Sequence, residues 1–263
     1  MIAAINRLYR KVFCRGGHGV HSPFVFDLLT TVIEERCSYY CYDSLSPVRA
    51  QLRQNLSKIE YRECEYVVNE YLKKKCFSES EDKLLFRLAN RFKPRIIYMV
   101  GSDLGLAPLY LTAYSKSACC TVIEPEADVA AVARKFAGKY STSVDIHSSG
   151  KLYLQNDCSI DLFVWGKSSL AASGITGDYD SAGNGSISSC EAFSYKAFDE
   201  AVQYMNDEGL MVISCINVSR ESRATWKKIC AHPRVTVTLE MYSLGLVFFN
   251  PKLHRKTYKS LVM

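Results

Sequence analysis

The segment Arg95-Ile-Ile-Tyr-Met-Val-Gly-Ser-Asp-Leu-Gly105 constrains this chain more than any other. It reads as a buried strand that runs into a glycine turn and then a helix. About 20 residues further on, a second apolar strand, Cys120-Thr-Val-Ile, ends at Glu124. A glycine turn after one strand and an acid at the tip of the next is how a Rossmann-like sheet holds a nucleoside. The glycines let backbone approach the ligand, and the acid accepts hydrogen bonds from ribose hydroxyls. The pattern therefore predicts an adenosine-type pocket.

From residue 95 onward strands and helices alternate. Strands are predicted at Ile96 to Val100, Cys119 to Glu124, Ser143 to His147, Ile160 to Trp165 and Leu210 to Ser214. Helices are predicted at Ala107 to Tyr114, Ala127 to Gly138, Tyr195 to Met205 and Ser219 to Ala231. Repeated βα units demand a mostly parallel sheet with helices on both faces. The chain then closes on two strands joined by a short turn, Val235 to Glu240 and Leu244 to Asn250. That hairpin is unusual for a dinucleotide-binding dehydrogenase and is the expected finish of a class I methyltransferase, so it tips an otherwise general α/β reading toward the latter. The expectation is an α/β, Rossmann-like domain over 78–263 with a seven-stranded sheet ending in an antiparallel hairpin. Residues 170–190, rich in Gly, Ser and Asp, read as a flexible insertion.

Residues 1–77 read as a helical extension. Ser46-Pro47 looks like a helix start, with Val48 to Ile59 amphipathic behind it and Tyr66 to Lys75 as another short helix. Ser78-Glu-Ser-Glu81 is a capping-box pattern that opens a helix with Leu84, Leu85, Leu88 and Ala89 on one face. Residues 1–13 allow two readings: a helix docked on the body of the protein, or a basic amphipathic helix at a membrane surface or partner. The extension is also a candidate homodimer surface.

Charge and cysteine usage narrow the class. A net charge of +6, spread along the chain, lacks the clustered basic face of a dedicated nucleic-acid binder. The 11 cysteines show no metal-type spacing, which points to reduced structural thiols and a cytoplasmic setting. No apolar run approaches the about 20 residues that span a bilayer.

Four blocks carry a resemblance: His18-Gly-Val-His-Ser-Pro-Phe-Val-Phe-Asp27, Asp82-Lys-Leu-Leu-Phe-Arg-Leu88, Gly101-Ser-Asp-Leu-Gly105, and the pair Trp226-Lys-Lys-Ile-Cys-Ala-His-Pro233 with Gly245-Leu-Val-Phe-Phe249. Together they resemble a bacterial group of class I S-adenosylmethionine (SAM)-dependent methyltransferase-like proteins, over nearly the whole chain. The resemblance implies SAM as cofactor and a small-molecule or lipid-like acceptor. It places Gly101, Ser102, Asp103, Gly105, Glu124 and Trp165 at the cofactor. Asp103 has a second reading as a helix cap, and Trp165 as a packing residue.

The chain departs from the family where chemistry sits. The motif's first Glu is Met99 here, the expected Asp after the fourth strand is Gly166, and the paired aspartates after the fifth are Ser214 and Cys215. Carboxylates at those strand ends hold Mg²⁺ in catechol-type relatives, and Ser and Cys cannot supply its hard-oxygen shell. No metal is therefore expected. His18, His21 and Lys167 are the candidate catalytic residues, and His147 reads as structural. Two functions stand at this point: a metal-independent SAM methyltransferase, or an inactive relative that serves as a binding module.

Overall fold

A computed structural model describes residues 22–148, 151–153, 159–170, 186–188 and 194–260. The segment 1–13, His18 and His21 lie outside the described residues, as does most of 170–190.

The glycine turn joins β3 (Ile96–Val100) to α5 (Leu106–Thr112). The parallel series continues through β4 (Cys119–Ile123), α6 (Ala127–Tyr140), β5 (Val144–His147), β7 (Ile160–Trp165), α7 (Tyr195–Val202), β9 (Met205–Ser214) and α8 (Arg220–Ala231). A short β6 (Lys151–Tyr153) pairs antiparallel with β8 (Ser186–Ser188) away from the main sheet. The hairpin β10 (Val237–Glu240) and β11 (Leu244–Phe248) follows, then β12 (Lys256–Lys259).

The main sheet has the order β12-β10-β11-β9-β7-β3-β4-β5. The run from β9 to β5 is parallel, and β11 enters antiparallel against β9. The sheet has eight strands rather than the seven expected. The added β12 pairs parallel with β10 at the edge, and its sequence Lys-Thr-Tyr-Lys carries no apolar signal. Lysines on an edge strand are a common guard against intermolecular pairing.

Side chains alternate between two cores. Ile97, Met99, Leu162, Val164, Leu210 and Val212 enter the first. Val100, Phe163, Trp165, Met211 and Ile213 enter the second, beneath α7 and α8. Burial on both faces explains the apolar runs Ile96–Val100 of β3 and Leu162–Trp165 of β7.

The N-terminal region differs from the all-helical expectation. It runs through α1 (Pro23–Leu28), a π-helical turn (Leu29–Ile33) and α2 (Tyr40–Gln54). It then forms a hairpin, β1 (Lys58–Tyr61) and β2 (Cys64–Val67), before α3 (Val68–Lys75) and α4 (Glu79–Phe92). Pro47 lies inside α2 instead of starting it. Burial of Cys41, Tyr42 and Leu45 carries that helix upstream of the proline, so packing outweighs one lost backbone bond. The hairpin turns through Arg62 and Glu63, with φ of 51° and 60°. That is the left-handed pair a two-residue turn requires, here without glycine. The Ser78/Glu81 capping box forms at the start of α4 as expected. The N-terminal helices share the first core with the sheet, from Val25 through Tyr71 to Val212.

Candidate functional site

The strand order reverses between β3 and β7, and in open α/β sheets the crevice for ligands lies at the carboxyl ends of the strands at such a switch point. Gly101 (φ 84°) and Gly105 (φ 87°) bracket the turn above β3, and Asp103 and Leu104 between them are also left-handed (φ 51° and 53°). Glycine at 105 has a packing reason as well. A Cβ there would lie 2.8 Å from the Ala133 carbonyl of α6, so this residue faces a helix.

Glu124, just past β4, aims its carboxylate at the turn. Its Oε2 accepts from the Ser102 backbone N–H and hydroxyl, both at 2.8 Å. Its Oε1 receives only a long 3.4 Å bond from the Glu126 N–H. Burial raises the Glu124 pKa, and the Ser102 bonds oppose that rise. The residue is 1% exposed, and the β1–β2 hairpin bonds to elements on either side of it. The Glu60 N–H donates to Asp128 of α6 at 3.0 Å, and the Tyr61 hydroxyl donates to the Ser168 carbonyl beyond β7 at 2.6 Å. Arg62 adds a 3.2 Å bond to that carbonyl. The hairpin thus straps the segment after β4 to the segment after β7.

Asp103 is a helix cap, as one of its two readings had it. Its Oδ2 accepts from the Ala107 N–H at 3.2 Å, and its Oδ1 accepts from the Phe77 N–H at 2.6 Å. Burial pushes its pKa up to about 7 against the pull of the Phe77 bond and of Arg49. Arg49 of α2 forms a buried ion pair with Asp82 of α4. Two buried carboxylates therefore face one guanidinium. Trp165 is buried in the second core, its ring centroid 4.5 Å from that of Phe163.

The four positions that depart from the resemblance are Met99, Gly166, Ser214 and Cys215. Met99 is fully buried in the first core. A Cβ on Gly166 would stand 3.0 Å from the Val100 carbonyl oxygen and 3.2 Å from that of Gly101, so the close crossing of β3 and β7 leaves no room for a side chain there. Ser214 ends β9 and Cys215 follows it, strained at φ 55°. Burial raises the Cys215 thiol pKa, although Lys167 pulls the other way.

Lys167 takes the centre. Its ammonium lies 2.5 Å from Glu81 Oε2 and 5.7 Å from the Phe77 ring centroid. Glu81 also accepts from Ser243, in the β10–β11 turn, at 2.8 Å. Burial acts to raise the Glu81 pKa, but Lys167 and Ser78 outweigh it and hold the group below its ordinary value. His147 stands apart, half-exposed and paired with Asp145 at 2.9 Å. Among the described residues no cluster of three His, Cys, Asp or Glu is placed to hold a metal ion. None of their helices is long and apolar enough to cross a membrane.

Sequence reasoning missed Tyr61, Arg49 and Glu81, which the structure brings to this end of the sheet. The hairpin had a signal: Lys-Ile-Glu-Tyr alternates exposed and buried. Period 2 was present where a helix was expected.

No family model and no curated protein matches the sequence. Solved structures do. A methyltransferase from Geobacter sulfurreducens superposes with a TM-score of 0.53 at 13% identity, over 87% of this chain and 98% of that one. The O-methyltransferase TomG from Streptomyces achromogenes, involved in Tomaymycin synthesis and solved in complex with SAM, gives 0.51 at 13% identity, over 86% and 95%. The chain has the class I O-methyltransferase fold. Within that fold the switch-point crevice, the glycine turn and Glu124 fall at one end of the sheet, and the Lys167–Glu81 pair lies beside them.

Proposed function

We propose that this chain is a SAM-dependent methyltransferase that works without a metal on a small-molecule or lipid-like acceptor. The observation that carries the reading is Glu124. Its Oε2 is tied to Ser102 while its Oε1 retains capacity for a strong donor. A carboxylate so placed fits a ribose hydroxyl, and the left-handed Gly101 lets backbone come close to a ligand. Residues 101–103 would line the nucleoside and Glu124 would hold its ribose.

The bound cofactor would supply an activated methyl group on a sulfonium. The protein's part is then to orient an acceptor whose oxygen or nitrogen is already nucleophilic, and to exclude water beneath the hairpin. Lys167 would supply the positive charge that a metal supplies in relatives of the catechol type, and its partner Glu81 would balance it.

A second reading, a binding module without turnover, is favoured by the Glu81 network. Lys167, Ser78 and Ser243 converge on one carboxylate, which ties the acceptor side shut. Calorimetric titration with SAM and S-adenosylhomocysteine tests the first reading. Micromolar binding that weakens about 10- to 100-fold in Glu124→Ala supports it. Absence of heat at millimolar ligand leaves the binding module alone.

A further inference from the structure

Arg62 and Lys75 bring two cations to one aromatic ring. The Arg62 guanidinium carbon stands 5.1 Å from the Tyr61 ring centroid, and the Lys75 ammonium stands 5.6 Å from the same centroid. The Tyr61 ring is buried, and its hydroxyl donates to the Ser168 carbonyl at 2.6 Å. Arg62 donates to that carbonyl at 3.2 Å. Ser168 follows Lys167, whose ammonium lies 5.7 Å from the ring centroid of Phe77, itself just beyond Lys75 in the chain. Three cations thus gather beside the segment that follows β7.

The charges there do not balance. Glu81 neutralises Lys167 at 2.5 Å, but among the described residues no carboxylate pairs with Arg62 or Lys75. Glu65 pairs with Lys58 at 2.8 Å, and Glu60 stands opposite Glu65 on the face of the hairpin away from Tyr61. Glu63 is exposed in the turn, and Glu70 pairs with Lys74. Lys73 and Lys74 end the same helix as Lys75 and are exposed, whereas Lys75 and Arg62 are half-buried. The helix macrodipole favours a lysine in that last turn at either depth, so it does not account for the inward placement of Lys75. A cation stacked on a ring keeps its donors. The guanidinium has five and spends one on Ser168, and the ammonium has three. Such a pair matches a doubly charged oxyanion. In open α/β sheets ligands bind beyond the carboxyl ends of the strands, and Ser168 lies just past that end of β7.

We infer that Arg62 and Lys75 form an anion subsite for a phosphate monoester, and that the methyl acceptor carries this group. The acceptor's role rests on the function proposed above, whereas the subsite rests on the two cations alone. The inference narrows the substrate class to phosphorylated acceptors.

The test titrates the full chain by calorimetry with glycerol 3-phosphate, with glycerol as the uncharged control. A second arm sediments the protein with phosphatidylcholine vesicles, with and without phosphatidic acid. The expected result is binding of the phosphate ester but not of glycerol. Arg62→Gln and Lys75→Gln should each weaken it about tenfold, while Lys75→Arg retains it and Lys73→Gln leaves it unchanged. The two Gln variants lie on separate elements, so if one fails to fold the other carries the test. The same variant pattern on phosphatidic acid vesicles, without binding of the soluble ester, supports the subsite and names a lipid headgroup as the source. Equal weakening in Lys73→Gln overturns the subsite in favour of general surface charge. Binding that neither Gln variant weakens, or no binding in either arm, also overturns it. S-adenosylhomocysteine titrated into the same proteins separates the two claims. A wild type that binds it but no phosphate overturns this inference alone. A wild type that binds phosphate with the expected pattern but no S-adenosylhomocysteine upholds the subsite and overturns the acceptor role together with the proposed function.

Discussion

The ammonium of Lys167 sits 2.5 Å from the carboxylate of Glu81, 86 residues earlier in the chain. The pair ties the turn after β7 to the N-terminus of α4. Glu81 is 3% exposed, and its hydrogen bonds to Ser78 and Ser243 hold the capping box and the β10–β11 turn to the same point.

Replacing Lys167 by Met should destabilise the protein by about 1–3 kcal/mol at neutral pH, because a buried carboxylate loses its counter-ion but keeps neutral donors. The Glu81 pKa lies below its ordinary 4.5. Its contribution is therefore complete above that value and lost as the pH falls through the folded value. Urea unfolding of both proteins should show the gap closing in acid. A gap that widens in acid would contradict the pairing.

Arg49 and Asp82 are both buried, with side chains 6% and 0% exposed. Removing one partner strands the other. Arg49→Met should cost about 3–5 kcal/mol, and the double variant Arg49→Met/Asp82→Leu should be less impaired than the single one. Chemical denaturation of the set measures this, and simple additivity would show that the pair is not coupled.

Asp103 gives stability a pH dependence of the opposite sign. Its pKa rises from 3.8 to about 7 on folding. The folded state holds the proton more tightly, so the contribution is full below the unfolded value and fades as the pH rises through about 7. The melting temperature should fall between about pH 5 and about pH 8, and Asp103→Asn should flatten that fall. Parallel slopes in scanning calorimetry would rule Asp103 out as the source.

Trp226 of α8 packs its ring against Gly245 of β11, where any Cβ would collide with it. Gly245→Ala should lower stability by about 1–3 kcal/mol through overpacking of a rigid ring. The midpoint of urea unfolding reports it, and an unchanged midpoint would mean that the ring has room to move.

The Trp226–Gly245 contact also shows what was legible. Both residues belong to blocks that stand out in the sequence, yet only the fold brings them together. Residue types and spacing placed Ile96 to Val100 and Ile160 to Trp165 to the residue, because strands buried on both faces are mostly apolar, with Asp161 the one interruption. The Ser78–Glu81 box was equally plain, since its partners are 3 residues apart. Met205 to Gly209 was missed as the start of β9, and β12 altogether. Both are polar or partly exposed stretches whose extended form is set by neighbouring strands.

The α/β order, the glycine turn and the acid beyond the second strand follow from the chain alone, since local pattern and short-range capping dictate them. The hairpin strap through Tyr61 and the convergence on Glu81 do not. The residues that meet there lie up to 162 positions apart, and pairing over such distances leaves no period in the sequence. Tertiary packing decides it, by burying polar groups where only each other can satisfy them.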